Sequence, residues 1–574
     1  MRMMKEKAVA LTTFMRNARA RRGTRMVIIA LGAIAASLFS ISRAEDAPEA
    51  PTLVIGFSKS VPAVGDRVEV RLYLDSPGGR DVGVTCPDGA VLTRTTGPDG
   101  CFSWYPRRYG RYVFRAGDCS ETVWVTAGQM YFFVWDTTIF RRNASHALRP
   151  RDANCAAAWR RRGVKLVNWA GGEYLTREKD FGDKAFKKSA DWLENWSKDS
   201  LDKDCDGIAI DEIYVSSNQP MDELCKAVLE FRKRAGRGFD ILPFFSGIEW
   251  DAVGPMWDLR DAEAPCMEEN YWGGEEVYGK RWADVRLFRL DEIGTVLSQA
   301  PGFFLDEKRR GPRTIEEFRA DIALCRRLAP EMRGISLFNA YNFREADRAA
   351  DSAIEDYFFK PVVHLHPRNG DLMAQNIGND DIREGGAVEF LKGGDVLGTA
   401  SIPALIPGQD AALKVPPGAE IARLKLPEGV NHVYEGGQFR LPENMNPLQV
   451  ERCSLKQGEI LNASQEFTVE ISFNKPVVNA RQRAVWLKGA KTGKVEVGEL
   501  ALSEDRKSLR ICMPTLPEDR YSLRLLSGKV HFRDDDGNPL DGSGNGFCEH
   551  APGLYQDADH FSVDFRTVVD SYNP

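Results

Sequence analysis

Histidine is scarce in this chain: there are seven in 574 residues, and only His146 falls between residues 130 and 360. A histidine-built metal centre or a Ser-His-Asp triad in that stretch would need partners the sequence does not show. The eleven cysteines never form a C-x-x-C, which removes zinc-ribbon and thioredoxin-type readings. Positive charge is not in excess either. A formal net charge of -6 offers no basic surface for counterion release, so nucleic acid is excluded as the partner, and small neutral ligands or glycans fit better. After residue 41 no apolar run is long enough to span a bilayer.

What is present begins with Arg21, Arg22 and Arg25, then the apolar run Met26 to Ile41, then Ser42-Arg43-Ala44. That order of charge, apolar core and small residue reads as a signal peptide over 1–44, cleaved after Ala44, with an uncleaved anchor as the alternative. Export to the periplasm, cell surface or medium follows, and it permits disulfides. Cys86, Cys101 and Cys119 are close enough in sequence for a pair to be expected among them.

Over 45–128, short β-rich runs (Val68 to Leu74, Tyr112 to Phe114, Thr122 to Val125) alternate with turn clusters such as Gly97-Pro98-Asp99-Gly100, which reads as a β-sandwich. Over 129–360 the period changes, and strand-like runs alternate with helical stretches, as in a parallel sheet with crossover helices. Candidate strands are Tyr131 to Asp136, Lys165 to Trp169, Gly207 to Glu212, Ile241 to Phe245, Pro265 to Asn270, Phe303 to Asp306 and Ile335 to Asn339. Candidate helices are Ala185 to Trp196, Met221 to Arg234, Tyr278 to Leu297 and Ile315 to Leu328. The length suits an eight-stranded β/α (TIM-like) barrel, yet only seven strands are visible, so one is unmarked or the barrel is incomplete. Two further sandwiches are expected over 361–440 and 441–574. The fold class is therefore multidomain, a central barrel of seven or eight strands flanked by N-terminal and C-terminal Ig-like β-sandwiches.

In a β/α barrel the reacting groups stand at the carboxyl ends of the strands. Those ends carry Trp135 and Asp136, Asn168 and Trp169, Asp211 and Glu212, Trp250, Glu268, Glu269, Asn270 and Trp272, Asp306, and Asn339. With histidine nearly absent, acid/base work falls to carboxylates. Glycoside hydrolysis needs only a pair of them. Indoles cover the flat C–H faces of sugars, and carboxylates and amides bond the hydroxyls. In Asp206-Gly207-Ile208-Ala209-Ile210-Asp211-Glu212, side-chain alternation puts Gly207, Ala209 and Asp211 on one face and the isoleucines on the other. The small face is expected to point into the barrel. Glu268 and Glu269 have opposite parity, so only one of them should face inward. Asp202, Asp204, Asp206 and Gly207 imitate the start of an EF-hand, but loop position 12 is Ile213 where the bidentate glutamate belongs, so no cofactor is expected, with calcium at this loop as the minor alternative.

The Asp206-to-Asp211 string resembles barrel glycosidases, since Asp-Gly-x-x-x-Asp frames the fourth strand of both the α-amylase-like and the chitinase-like families. The resemblance implies that Asp211 takes the position of the amylase-type nucleophile. Ala209 stands where the amylase pattern has arginine and the chitinase pattern has aspartate, and Ile213 stands where chitinases have their acid glutamate. Farther on, Gln375-Asn376-Ile377-Gly378-Asn379 with Val388-Glu389-Phe390 and Pro407-Gly408 is similar to bacterial CARDB modules. Val469 to Phe473, Tyr521-Ser522-Leu523 and Asp536 to Leu540 resemble S-layer-type Ig-like modules. These last resemblances imply spacing or cell-envelope attachment.

The leading expectation is an exported glycoside hydrolase, with Asp211 as nucleophile or base, Glu268 or Glu269 as acid, and Glu212 beside them. Asp136, Trp135, Asn168, Trp169, Trp250, Asn270, Trp272, Asp306 and Asn339 would contact a carbohydrate. The alternative is an inactive barrel that binds glycans or envelope partners.

Overall fold

The computed structural model describes residues 54–73, 79–135, 137, 143–201, 204–218, 220–269, 275–289, 295–299, 315–337, 351–463, 465–528, 530–544 and 559–569. The signal-like segment, Asp136, Asn270, Trp272, Asp306 and Asn339 lie outside them. Among the described residues no helix is long and apolar enough to cross a membrane.

Eight parallel strands close the central barrel: β1 (Tyr131–Val134), β2 (His146–Leu148), β3 (Lys165–Gly171), β4 (Gly207–Val215), β5 (Asp240–Ile248), β6 (Cys266–Glu269), β7 (Thr295–Gln299) and β8 (Gly334–Leu337). The strand missing from the sequence pattern is β2. It has only three residues, paired on one side with β1 and on the other with β3, too short to show alternation. Strand β7 corrects a second expectation. It occupies 295–299, inside the stretch assigned to a helix over Tyr278 to Leu297, while the expected strand Phe303 to Asp306 lies outside the described residues. The helix before it, Glu275–Leu287, stops early, and Arg289 then adopts φ +56°, a left-handed conformation no helix continues through.

Alternation along the strands sorts two apolar layers. Tyr131, Phe133, Val167, Ala209, Leu242, Phe244 and Met267 fill the barrel interior. Ile208, Ile210, Ile213 and Val215 face outward onto the helices. Helix α1 (Met221–Ala235) shows why that shell forms. Its buried Met221, Leu224, Cys225, Val228 and Phe231 recur at three- and four-residue intervals, so one face seals the barrel. Asp222 and Glu223 in its first turn and Arg232, Lys233 and Arg234 in its last match the helix dipole, and Gly236 at φ +76° ends it. Burying each large apolar side chain contributes about 1.5–3 kcal/mol.

Three β-sandwiches surround the barrel, each with one core shared by two sheets. The first joins a three-stranded and a four-stranded sheet, the second two four-stranded sheets, and the third two five-stranded sheets. The disulfide expected in the first does not form: Cys86, Cys101 and Cys119 are free thiols. Cys101 belongs to the three-stranded sheet, opposite Arg71. Cys86 follows Thr85, which pairs with Val113, whereas Cys119 pairs with Ala116, so the two sit near opposite ends of the other sheet. Several residues of strand separate them at roughly 3.3 Å each, beyond the roughly 7 Å that a disulfide spans between Cα atoms.

The sandwiches are docked. Arg326 donates to the carbonyls of Pro330 (2.8 Å), Met332 (3.0 Å), Tyr357 (3.1 Å) and Ile377, fastening the barrel to the second sandwich. Arg524 of the third sandwich lies over the rings of Trp486 (4.6 Å) and Phe288 (4.7 Å) and donates to the Trp250 carbonyl. Arg520 pairs with Asp258 at 2.6 Å, Lys488 with Asp251 at 3.0 Å, and Arg260 with Asp564.

Candidate active site

Strand β4 delivers Asp211 to the carboxyl-terminal mouth on the same inward face as Ala209. Strand β6 delivers Glu269 on the inward face of Met267. The two side chains come from strands separated by β5 and hydrogen-bond to each other. Trp169, at the end of β3, donates its indole N–H to Asp211 Oδ2 at 3.1 Å and remains 43% exposed. Trp135 closes the floor. It packs on Phe133 and Phe244 and donates from Nε1 to the buried Ser336 Oγ at 3.2 Å.

Burial pushes the Asp211 carboxyl up from 3.8 to about 6. The Trp169 N–H pulls it back, the charge of Glu212 pushes it further up, and hydrogen bonds from Glu269 and the Glu212 backbone N–H favour its ionised form. Two carboxyls in hydrogen-bond contact cannot both be ionised at low cost, so the pair holds one proton.

The backbone breaks its alternation at this point. Pairing with β5 skips between Ile210 and Ile213, a β-bulge, and Glu212 takes φ +52°. The bulge carries Glu212 to Arg177, whose Nη2 meets Oε2 at 3.3 Å. It also reverses the parity beyond, so that Ile213 and Val215 continue the outward apolar layer and Tyr214, 41% exposed, leaves it. Tyr214 packs against Gly247, where an added Cβ would stand 2.7 Å from its ring. Gly172 supports the bulge from β3's side, since a Cβ there would lie 2.2 Å from the Asp211 carbonyl oxygen. Tyr214 and Arg177 were missed in the sequence because regular alternation points Tyr214 at the helices and nothing marks Arg177.

Other candidates fall elsewhere. Glu268 shares the outward face of Cys266 and is buried against the helix Glu275–Leu287, with Arg281 Nη1 3.2 Å from Oε1. Burial raises its carboxyl to about 8 against the pull of Arg281. Outward parity sends Asn168 toward Ser200 Oγ, 3.5 Å away, and out of the cleft. Trp250 packs on Trp486 at 5.1 Å, so it belongs to the junction with the third sandwich. Asp204 pairs with Arg160, and Asp206 accepts the Leu166 N–H at 2.8 Å at the amino-terminal end of the barrel, the wrong end for the mouth.

That amino-terminal end gives His146 the partners the sequence left unseen. Ser145 Oγ meets His146 Nδ1 at 2.8 Å, His146 Nε2 meets Asp240 Oδ2 at 2.9 Å, and Lys165 Nζ reaches the same oxygen at 2.6 Å. Although burial opposes its charge, Asp240 is held at about 2 by His146 and Lys165. The Ser145 hydroxyl is buried and accepts the Phe132 N–H at 2.7 Å, so the chain closes the β1–β2 seam, at the end that serves stability.

No protein-family model matches the sequence, and no curated protein matches it. Among solved structures, a β-glucuronidase from Ruminococcus gnavus aligns over 50% of this chain and 61% of its own, at 10% identity and a TM-score of 0.27. The surface layer protein SbsC, domains 1–6, aligns over 21% of this chain at 16% identity and TM-score 0.14, and this chain spans only 13% of its length. CopC from Methylosinus trichosporium OB3b aligns over 22% of this chain and 99% of its own, at 12% identity and TM-score 0.15. Likeness at this level assigns no activity.

Proposed function

We propose that the protein is an exported glycoside hydrolase that acts on a poly- or oligosaccharide through Asp211 and Glu269. The observation that carries this reading is the hydrogen-bonded Asp211/Glu269 pair lying beside the exposed Trp169 indole at the barrel mouth. Because the indole and the Glu212 N–H donate to Asp211, that side chain is the ionised partner, fit to act as nucleophile or base. Glu269 carries the shared proton and delivers it to the leaving glycosidic oxygen. Trp169 and Tyr214 supply the aromatic surface a sugar face covers. Glu212 stays with the pair as a neighbouring charge. Export with cleavage after Ala44, and envelope association through the sandwiches, belong to the same proposal and rest on the sequence alone.

One observation favours a second reading, a barrel that binds glycans without cleaving them. In contact, the two carboxyls are closer than the roughly 5–5.5 Å of retaining or 6.5–9.5 Å of inverting pairs. For hydrolysis the pair must part to admit the glycosidic oxygen. A glycan array combined with a hydrolysis screen of the mature protein, Asp211→Asn and Glu269→Gln separates the two. Turnover by the wild type that both variants lose while still binding supports the enzyme, and binding by all three without any turnover supports the binder.

A further inference from the structure

Glu212 occupies a position where glycine would be the undemanding choice, since φ +52° brings the Cβ of an L-residue close to its own carbonyl. A glutamate held there, next to the carboxyl pair, needs a reason. Two contacts and the backbone conformation supply one. Its backbone N–H hydrogen-bonds to the Asp211 carboxylate. Its side chain reaches Arg177 Nη2 at 3.3 Å. Its conformation coincides with the bulge that seats the Asp211 carbonyl against Gly172.

We infer that Glu212 is a positioning residue: its left-handed backbone and its tether to Arg177 turn the Asp211 carboxylate onto Glu269 and Trp169, and its charge opposes ionisation of the Asp211 carboxyl. This rests on the reading of Asp211 and Glu269 as a working pair, but it concerns their geometry and charge rather than any substrate. The groups that bear on Asp211 are Trp169 from β3, Glu212 from its own strand and Glu269 from β6. Arg177, in the chain after β3, acts through Glu212. A like charge beside Asp211 disfavours ionisation of that carboxyl, and a cation that partly neutralises that charge eases it. Removing Glu212's charge and removing Arg177 must therefore move the titration in opposite directions. A residue that merely packed the loop would not produce that split.

The test reads Trp169, because its indole N–H points at the titrating carboxylate. Full-length protein carrying ¹⁵N-indole label is titrated by NMR, with Trp169→Phe used to assign the signal. The wild-type midpoint is expected near the Asp211 value of about 6. Glu212→Gln should lower it by about half a pH unit or more, the effect of one unit charge at side-chain distance. Arg177→Met should raise it. Glu212→Gly, which keeps the left-handed backbone without strain, should follow Glu212→Gln, whereas Glu212→Val should uncouple the indole from the titration altogether. Unchanged midpoints in Glu212→Gln and Arg177→Met, or shifts of the same sign, overturn the inference, and that pair decides the matter even if Glu212→Val does not fold. The titration needs no substrate. Opposite shifts in a protein without turnover would sink the hydrolase reading and leave the positioning role standing.

Discussion

Replacing Glu268 by glutamine should stabilise the protein near neutral pH, although it removes one half of an apparent ion pair. The carboxyl is 1% exposed, and Arg281 approaches to 3.2 Å without the alignment of a hydrogen bond to either oxygen. Burial dominates and raises its pKa from 4.5 to about 8. A group whose folded pKa is raised is at its most favourable below 4.5, and its contribution to stability falls as the pH climbs to about 8. At pH 7 the folded protein keeps a proton that the unfolded chain has released, about 2.5 units above the unfolded value. At about 1.4 kcal/mol per unit, that disfavours folding by about 3 kcal/mol relative to acid. Glutamine is neutral throughout and still offers Arg281 an oxygen. The variant should therefore lose the fall in stability between pH 4.5 and 8 and gain about 1–3 kcal/mol at pH 7. Differential scanning calorimetry across that range, following the transition of the barrel, measures it. A variant less stable than wild type at pH 7 would show that the Arg281 pair outweighs burial and would refute the argument.

At the opposite end of the barrel the sign reverses. Asp240 is depressed from 3.8 to about 2, so its ionised form contributes about 2 kcal/mol that is present above 3.8 and lost as pH falls through 2. Asp240→Asn should cost that amount in denaturant unfolding at pH 7 and almost nothing at pH 2. Gly172→Ala, whose Cβ would stand 2.2 Å from the Asp211 carbonyl, should lower stability by about 1–3 kcal/mol and perturb the Trp169 indole resonance; an unperturbed resonance would show that the bulge tolerates displacement. Cys86, Cys101 and Cys119 should all be alkylated in unreduced, denatured protein, and a linked peptide among them would contradict the sheet registers.

The barrel was legible wherever a strand was long enough for its pattern to repeat. Gly207 to Ile210 showed which face is inward because small and branched residues alternate without interruption. Three residues of β2 could show no period, and β7 was absorbed into a helix because Thr295 to Leu297 follows a helical stretch with no proline between them. Of the candidate site, the inward face of Asp211 could be read by counting along its strand, and parity already allowed only one of Glu268 and Glu269 to face inward. Which one it was depended on packing against Arg281. Trp250 looked like a rim residue because it follows a strand, and only the folded third sandwich shows that Trp486 and Arg524 cover it. Tyr214 and Arg177 were hidden by the bulge, a backbone event at Glu212 that side-chain identity does not announce.

Hydrolysis by Asp211 and Glu269 is read in kcat/KM of Asp211→Asn beside Glu212→Gln, on a glycan cleaved by the wild type. Asparagine keeps the volume and the Trp169 contact but removes the charge. A loss of about 10² to 10⁴ is expected for Asp211→Asn, with binding retained and a milder effect for Glu212→Gln. Equal activity of Asp211→Asn and wild type would remove Asp211 from the mechanism.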